Sequence, residues 1–307
     1  MNWNRFIYPV LFTSLLMIPS CDEVEEESSH FIFWDQVGDG KITERPVEIL
    51  LPSDYFSSDE YYPVIYMMDG QNLFSDTNSH WGKSWALADS IAALPEDDPL
   101  RKFIIVGIWS VNDRFLEYCP QKPLMNVSVD SLKQWRNGIE PAEVYSDDFL
   151  HFLVHGLKPM VDDSLRTLAD RQHTYVAGSS MGGLISLYAL MEYPQVFGGA
   201  ACFSTHWPLR LEKNSHLFTD ALLNYLPERL NGVSMPTRFY FDRGTATLDA
   251  MYGVHQVRID SLFESLGLES VKYTSLVFEG AEHDEVAWRS NGRATDGLRS
   301  IIHQDNQ

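Results

Sequence analysis

Apolar and polar positions along the chain follow two periods, one typical of strands and one typical of helices. Residues 31–51 hold a Gly-Asp-Gly turn signal and end in an alternating run, which predicts an antiparallel hairpin. Continuous apolar runs of strand length follow at residues 63–68, 103–109, 174–177, 200–203, 238–242 and 273–278. Helical patterns lie between and after them, at residues 84–94, 146–168, 184–193, 217–226, 254–266 and 296–303. Buried strands separated by helices predict an α/β fold with a mainly parallel central sheet, helices on both faces and the hairpin in front.

Composition limits the number of domains and the kinds of partner. The chain has 307 residues, of which 44% are hydrophobic, and it shows no internal repeat or low-complexity linker in its middle. We therefore expect one domain over residues 31–307. The net charge is −20, which repels phosphate backbones and argues against a nucleic-acid partner.

The first thirty residues resemble a targeting segment. Arg5 precedes an apolar run at residues 6–18 that is too short to span a bilayer, and Cys21 follows in a lipobox-like context. We expect residues 1–20 to be a lipoprotein signal peptide, with simple secretory cleavage as the alternative. Residues 21–30 carry five acids and should form a solvated tether. This predicts a cell-envelope protein anchored by lipid on Cys21, in the outer membrane, facing either the periplasm or the cell surface.

The clearest chemical signal is a Gly-x-Ser-x-Gly motif at Gly178, Ser180 and Gly182. An apolar strand precedes it and an apolar helix follows it, which is the context of a nucleophile elbow. Glycines permit the tight turn, and the helix that begins at Met181 directs free N–H groups toward the serine. Sheet, hairpin and elbow together outline an α/β-hydrolase with Ser180 as nucleophile.

Chain order in this fold places the acid and then the histidine after the serine. Among the later histidines, His283 stands in a glycine-bearing loop just past the last strand, whereas His255 and His303 fall in helical patterns. The acid is expected after the strand at residues 238–242. Asp249 is favoured over Asp242, because a residue still in a strand usually points into the sheet. A Ser-His dyad without an acid remains an alternative.

Other candidate residues follow from the same outline. Gly70 lets the backbone after the first parallel strand approach closely, so the N–H groups of Gln71 and Met181 are the predicted oxyanion hole. No Cys/His spacing predicts a metal site, and a disulfide between Cys119 and Cys202 is left open. Residues 119–144 fit neither period and are expected to form a wall or lid, or a surface excursion. The remaining histidines, His80 and His206 among them, are expected to be surface or core residues.

The ordered motifs resemble the "Putative esterase" family of α/β-hydrolases. They lie at residues 66–74, 114–120, 178–183, 242–245 and 280–288, within a resemblance over residues 45–288. The chain departs at Met68, where relatives often have histidine, and at Thr247, where they commonly have an acid. The resemblance includes feruloyl and acetyl-xylan esterases, siderophore esterases and S-formylglutathione hydrolases.

The resemblance implies a serine ester hydrolase that needs no cofactor or metal and removes acetyl or feruloyl groups from a carbohydrate through an acyl-enzyme on Ser180. Siderophore ester hydrolysis is the next choice, and acyl transfer or non-catalytic carbohydrate binding remain alternatives. The partner is an acylated carbohydrate or other small ester, and a membrane is contacted only through the lipid anchor. Trp81, Trp207 and Trp288 are the expected substrate-binding aromatics, with core packing as the alternative for each.

Overall fold

The computed structural model describes residues 30–133, 141–211 and 216–303. These residues form an eight-stranded sheet in the order β1-β2-β4-β3-β5-β6-β7-β8. The strands are β1 (Phe31–Val37), β2 (Arg45–Leu50), β3 (Val64–Met68), β4 (Ile104–Ile108), β5 (Thr174–Ser179), β6 (Gly199–Phe203), β7 (Thr237–Gly244) and β8 (Val271–Phe278). β1 and β2 pair antiparallel, β2 joins β4 antiparallel, and every later pairing is parallel. The predicted hairpin and parallel sheet are confirmed.

Helices cover both faces of this sheet. They are α1 (Leu87–Ala92), α2 (Arg114–Tyr118), α3 (Gln121–Met125), α4 (Val129–Lys133), α5 (Ser146–Phe152), α6 (Lys158–Ser164), α7 (Met181–Glu192), α8 (His216–Asn231), α9 (Gly253–Leu266), α10 (Glu285–Arg289) and α11 (Arg293–Ser300). Side chains of β3 alternate between the two faces, so Tyr66 and Met68 pack with α5 and α7 while Ile65 and Met67 pack with α1 and α11. α7 is apolar all round and buried except at its last residue, because it lies between the sheet and α8.

Three predictions about elements need correction. β8 is the sheet edge, and each of its residues is partly or fully exposed, so it is not buried on both faces. Residues 146–168 are not one helix. A π-helical turn at Leu153–Leu157 separates α5 from α6, directly before Pro159, which lacks the N–H that a continuous helix would use.

The third correction concerns residues 119–144, which are not merely a surface excursion. The described part forms α3 and α4, and it buries Cys119, Leu124 and Leu132 in the core. Cys119 and Cys202 are both buried and free, so the disulfide left open by the sequence is absent. Burial raises the pKa of both thiols above their usual range.

The predicted signal peptide, the lipidated Cys21 and all of the tether except His30 lie outside the described residues. Within the described ranges, no helix combines the length and apolar character needed to cross a bilayer.

Candidate active site

Ser180 occupies a sharp turn between β5 and α7. Its backbone has φ 57° and ψ −121°, a conformation that is strained for a residue with a Cβ and typical of a nucleophile elbow. Its N–H donates to the Phe203 carbonyl at 2.9 Å, which ties the turn to β6. A Cβ on Gly178 would stand 2.7 Å from the Gly182 carbonyl, so the turn requires glycine there. The sequence therefore builds a rigid corner that presents the Ser180 side chain to the cavity described below.

His283 and Asp249 meet where the loops after β7 and β8 touch. Asp249 Oδ1 lies 2.5 Å from His283 Nδ1, and the carboxyl group is fully buried. Thr247 Oγ1 accepts the His283 N–H at 2.9 Å, and the Ala281 carbonyl accepts two N–H groups from the β7 loop. A Cβ on Gly244 would come within 2.1 Å of the Ala281 oxygen. The close contact between the two loops fixes the imidazole against the carboxylate.

The second oxygen of Asp249 is also fully engaged. Oδ2 accepts the Gly244 N–H at 2.5 Å and the Ser204 hydroxyl at 2.6 Å. Ser204 Oγ in turn accepts from Arg293 at 2.9 Å and from the Trp288 indole N–H at 3.0 Å. These bonds hold Oδ2 in place, while Oδ1 faces His283.

Asp242, the alternative acid, has a different set of partners. Arg293 binds both of its carboxyl oxygens, at 2.8 and 2.7 Å. The Ser204 N–H donates to one oxygen at 3.0 Å and the Tyr240 hydroxyl to the other at 2.9 Å. Both oxygens are thus engaged in a buried ion pair, which places Asp242 behind Asp249 rather than against His283.

The predicted oxyanion loop lies against the start of α7. A Cβ on Gly182 would be 3.1 Å from both Met68 and the Asp69 carboxylate, which measures how closely the loop after β3 approaches the elbow. Met181 is the first residue of α7, so its N–H has no acceptor inside the helix. Gln71 lies in the 3-10 turn Gly70–Asn72, and its side chain is held by two hydrogen bonds to Ser110. The geometry brings both predicted donors to the same side of the sheet.

A cavity of about 630 Å³ opens above Ser180 and His283. It is lined by Asp69, Asn72, His80, Trp81, Lys83, Arg114, Ser179, Ser180, His283, Asp284, Glu285 and Trp288. Trp81 is 78% exposed at this cavity. Trp288 is almost entirely buried and contacts the His283 ring edge to face at a centroid distance of 5.2 Å, so it forms a wall behind the base.

Trp207 does not lie at this cavity. Its side chain is fully buried, packs against Phe241 and donates its indole N–H to Gln256 at 2.8 Å. The predicted contact with substrate is therefore wrong for Trp207 in this structure, and the alternative of core packing applies. The sequence did not distinguish substrate contact from core packing for Trp207, because a buried strand precedes the residue in either case.

Charged side chains line the cavity mostly as pairs. Arg114 binds both oxygens of Asp69, at 2.5 and 2.7 Å, and Lys83 lies 3.0 Å from Asp284. Glu285 is 6% exposed and accepts a hydrogen bond from Asn72 at 3.2 Å. Burial raises the pKa of the Glu285 carboxyl above its usual range. Carboxylates thus outnumber Lys and Arg side chains in the lining of the cavity.

Sequence reasoning missed a second polar pair beside the nucleophile. Tyr252 is fully buried, and its hydroxyl lies 2.5 Å from His206 Nδ1. Burial raises the pKa of the Tyr252 hydroxyl above its usual range, and a hydrogen bond with Ser180 acts in the opposite direction. Burial, together with the neighbouring His283, lowers the pKa of His206 to about 4. His206 stands three residues after the end of β6, and its position at the carboxyl end of a parallel strand was the available signal.

His80, expected to be a surface or core residue, is exposed and lies at the cavity. Ser204 also follows β6, and it links Asp249 to Arg293.

In the portion of the chain that the structure describes, no group of three or more histidine, cysteine or acidic side chains is arranged to hold a metal ion.

Known proteins share this fold and parts of this sequence. The bifunctional endo-1,4-β-xylanase/feruloyl esterase of Xylanibacter ruminicola is 22% identical over 84% of this chain and 29% of its own length. The ferri-bacillibactin esterase BesA of Bacillus subtilis is 26% identical over 54% of this chain and 56% of its own. The chain spans less than two thirds of the length of these curated relatives.

Solved structures give the same architecture. The IroE-like serine hydrolase of Shewanella oneidensis superposes with a TM-score of 0.64 at 21% identity, over 90% of this chain and 82% of its own. The family model described as "Putative esterase" matches residues 42–291, which include every strand from β2 to β8 and the loops that carry Ser180, Asp249 and His283. The chain therefore belongs to this esterase family.

Proposed function

We propose that the protein is a serine-dependent carboxylic ester hydrolase. The observation that supports this most is the buried Asp249–His283 hydrogen bond of 2.5 Å at the cavity onto which the Ser180 elbow opens. In this proposal Ser180 attacks the ester carbonyl while His283 takes its proton. His283 then returns the proton to the leaving alcohol, and water releases the acyl group by the reverse sequence. The Gln71 and Met181 N–H groups bind the oxyanion, each contributing roughly 3 kcal/mol of transition-state stabilisation.

The proposed substrate is an acetyl or feruloyl ester of a carbohydrate. Trp81 offers an exposed indole face at the cavity, the kind of surface on which sugar rings and feruloyl groups stack. The feruloyl esterase relative is consistent with this class of substrate.

A siderophore ester is the second candidate, suggested by the ferri-bacillibactin esterase relative. Ferric catecholate complexes are anionic, whereas the cavity presents Asp69, Asp284 and Glu285 against Lys83 and Arg114. The protein as a whole carries a net charge of −20, which further opposes the approach of an anion. Electrostatics therefore favour the neutral carbohydrate ester.

We also propose that lipid on Cys21 anchors the protein in the cell envelope. A tether of this kind keeps the enzyme beside polymers that cannot enter the cell. The support is the sequence pattern of Arg5, the apolar residues 6–18 and Cys21.

Hydrolysis of 4-nitrophenyl acetate by the wild type and by Ser180→Ala tests the reaction. We expect the variant to lose all activity above background, and unchanged turnover in a pure preparation would refute the proposal. Release of acetate or ferulate from xylan fragments, compared with cleavage of a catecholate triester, distinguishes the two substrate classes.

A further inference from the structure

Glu285 is a buried carboxyl group that the proposed reaction does not use. It is the first residue of α10 and stands two residues after His283. Its Oε1 accepts from Asn72 Nδ2, and its side chain lines the cavity. Among the described residues, no other residue's side chain donates to Oε2, and the carboxyl group also interacts with the Glu285 main-chain N–H. A carboxylate oxygen that no other side chain occupies therefore lies on a side chain that lines the cavity.

Asn72 connects this carboxyl group to the loop that carries Trp81. Its Oδ1 accepts the His80 N–H at 3.1 Å, while its Nδ2 donates to Glu285. Its main-chain carbonyl accepts the Trp85 N–H at 2.8 Å, which fixes the base of the same loop. Asn72 thus connects the Glu285 carboxylate to the main chain on both sides of Trp81.

The proposed chemistry determines which part of an ester reaches this place. His283 must protonate the leaving alkoxide, so the alcohol part of the ester lies on the His283 side of the cavity. Glu285 follows His283 closely in the chain and lines the same cavity. The His283 charge also acts on the Glu285 carboxyl group, so the two side chains are neighbours, and the alcohol part is the part of the ester assigned to Glu285 in the inference below.

We infer that Glu285, held by Asn72 beside Trp81, is a subsite that accepts hydrogen bonds from the hydroxyl groups of a neutral sugar in the alcohol part of the ester. This rests on the proposed function and narrows it. Carboxylates are strong acceptors for hydroxyl donors, and an indole face suits the apolar face of a pyranose. An ester of a simple alcohol has no hydroxyl groups to offer to Oε2.

The charges around Glu285 favour a donor ligand over an anion. Besides burial, the negative charges of Asp284 and Asp69 raise the pKa of the Glu285 carboxyl group, and His283 lowers it. Lys83 is paired with Asp284, and Arg114 with Asp69, so the two nearby cations are already engaged. A sugar hydroxyl brings its own proton and needs no free cation.

The test compares two esters with the same acyl group, acetylated xylobiose and 4-nitrophenyl acetate. In Glu285→Gln, the ratio of kcat/KM for the sugar ester to that for the aryl ester should fall roughly tenfold or more, mainly through KM, because a charged acceptor is lost. Glu282→Gln is the matched control, since Glu282 is exposed in the same loop, carries the same charge and does not line this cavity. We expect its ratio to equal that of the wild type.

Inhibition by free xylobiose gives a second readout, which does not depend on cleavage of the sugar ester. Xylobiose should inhibit hydrolysis of 4-nitrophenyl acetate competitively, and Glu285→Gln should raise the inhibition constant by a similar factor. An unchanged ratio in Glu285→Gln, an equal fall in Glu282→Gln, or a wild type that neither cleaves nor binds the sugar would overturn the subsite. Ser180-dependent cleavage of the aryl ester would still stand in each of these cases, whereas its absence would refute the proposed function itself.

Discussion

Asp249→Asn is expected to abolish the base function of His283 while keeping the fold. Asp249 Oδ2 receives two donors, the Gly244 N–H at 2.5 Å and the Ser204 hydroxyl at 2.6 Å. In the asparagine variant only the carbonyl oxygen can occupy that position, since an NH₂ group there would face both donors. The NH₂ group must then point at His283 Nδ1, which lies 2.5 Å from Oδ1 in the wild type.

This orientation forces the wrong histidine tautomer. An amide N–H donating to Nδ1 leaves the neutral ring with its proton on Nε2, and Nε2 then cannot accept the proton of Ser180. The equivalent change in a serine protease triad lowers kcat by roughly 10⁴-fold, and we expect a loss of that order here. At 1.36 kcal/mol for each factor of ten, this is about 5 kcal/mol of transition-state stabilisation.

The assay is the kcat for 4-nitrophenyl acetate, with urea unfolding to confirm that the variant is folded. A decrease of less than about tenfold in a folded Asp249→Asn variant would refute the tautomer argument. That result would favour a Ser-His dyad instead.

Three further predictions concern stability and location. Asp242→Asn removes the closer of the two buried carboxylates that pair with Arg293 and should lower the free energy of unfolding by about 3 kcal/mol in urea titrations, while the folded fraction keeps most of its kcat. A large loss of kcat with normal stability would contradict the structural role. His206 has a pKa of about 4 in the folded protein and 6.5 when exposed. As the pH falls, the unfolded state therefore binds the proton first. The contribution of neutral His206 to stability is complete above pH 6.5 and declines toward pH 4. The wild type should lose up to about 3 kcal/mol across that range relative to His206→Gln, and parallel curves for the two proteins would exclude this linkage. Cys21→Ala should move the protein out of the membrane fraction or block its maturation, and unchanged sedimentation with membranes would place the anchor elsewhere.

Local patterns were sufficient to predict most of the sheet and its helices. Buried parallel strands read as continuous apolar runs, and the sequence bounds of β3 to β7 differ from the observed ones by only one or two residues. The burial of β8 on both faces was predicted wrongly. Its apolar run does not indicate whether another strand lies beyond it in the sheet. An edge position is a property of the topology, not of the segment.

The candidate site was predictable only where chain order and loop position carry information. Ser180, Asp249 and His283 each follow a parallel strand, so their loops meet at one edge of the sheet. Trp207 also follows such a strand, at one residue beyond His206, yet its side chain turns into the core. The direction of a side chain depends on the turn that follows the strand. After β6 this turn begins at Ser204, which has φ 42°, and it redirects the chain that leads to Trp207.

Contacts between distant segments could not be predicted from the sequence. Asn72 and Glu285 are 213 positions apart, and Arg293 reaches Ser204 across 89. Neither pair belongs to a short motif, and each depends on α10 and α11 packing beside the loops after β3 and β6. The polar network around the acid therefore emerges only in the folded chain.

Labelling by a fluorophosphonate probe tests the central claim most directly, because only an activated serine reacts rapidly with it. The modified residue is identified by mass spectrometry, with the rate compared between the wild type and His283→Ala. We predict rapid modification at Ser180 alone and a large decrease in rate when His283 is removed. No labelling of the folded wild type, or labelling at another residue, would contradict the assignment of Ser180 as the nucleophile.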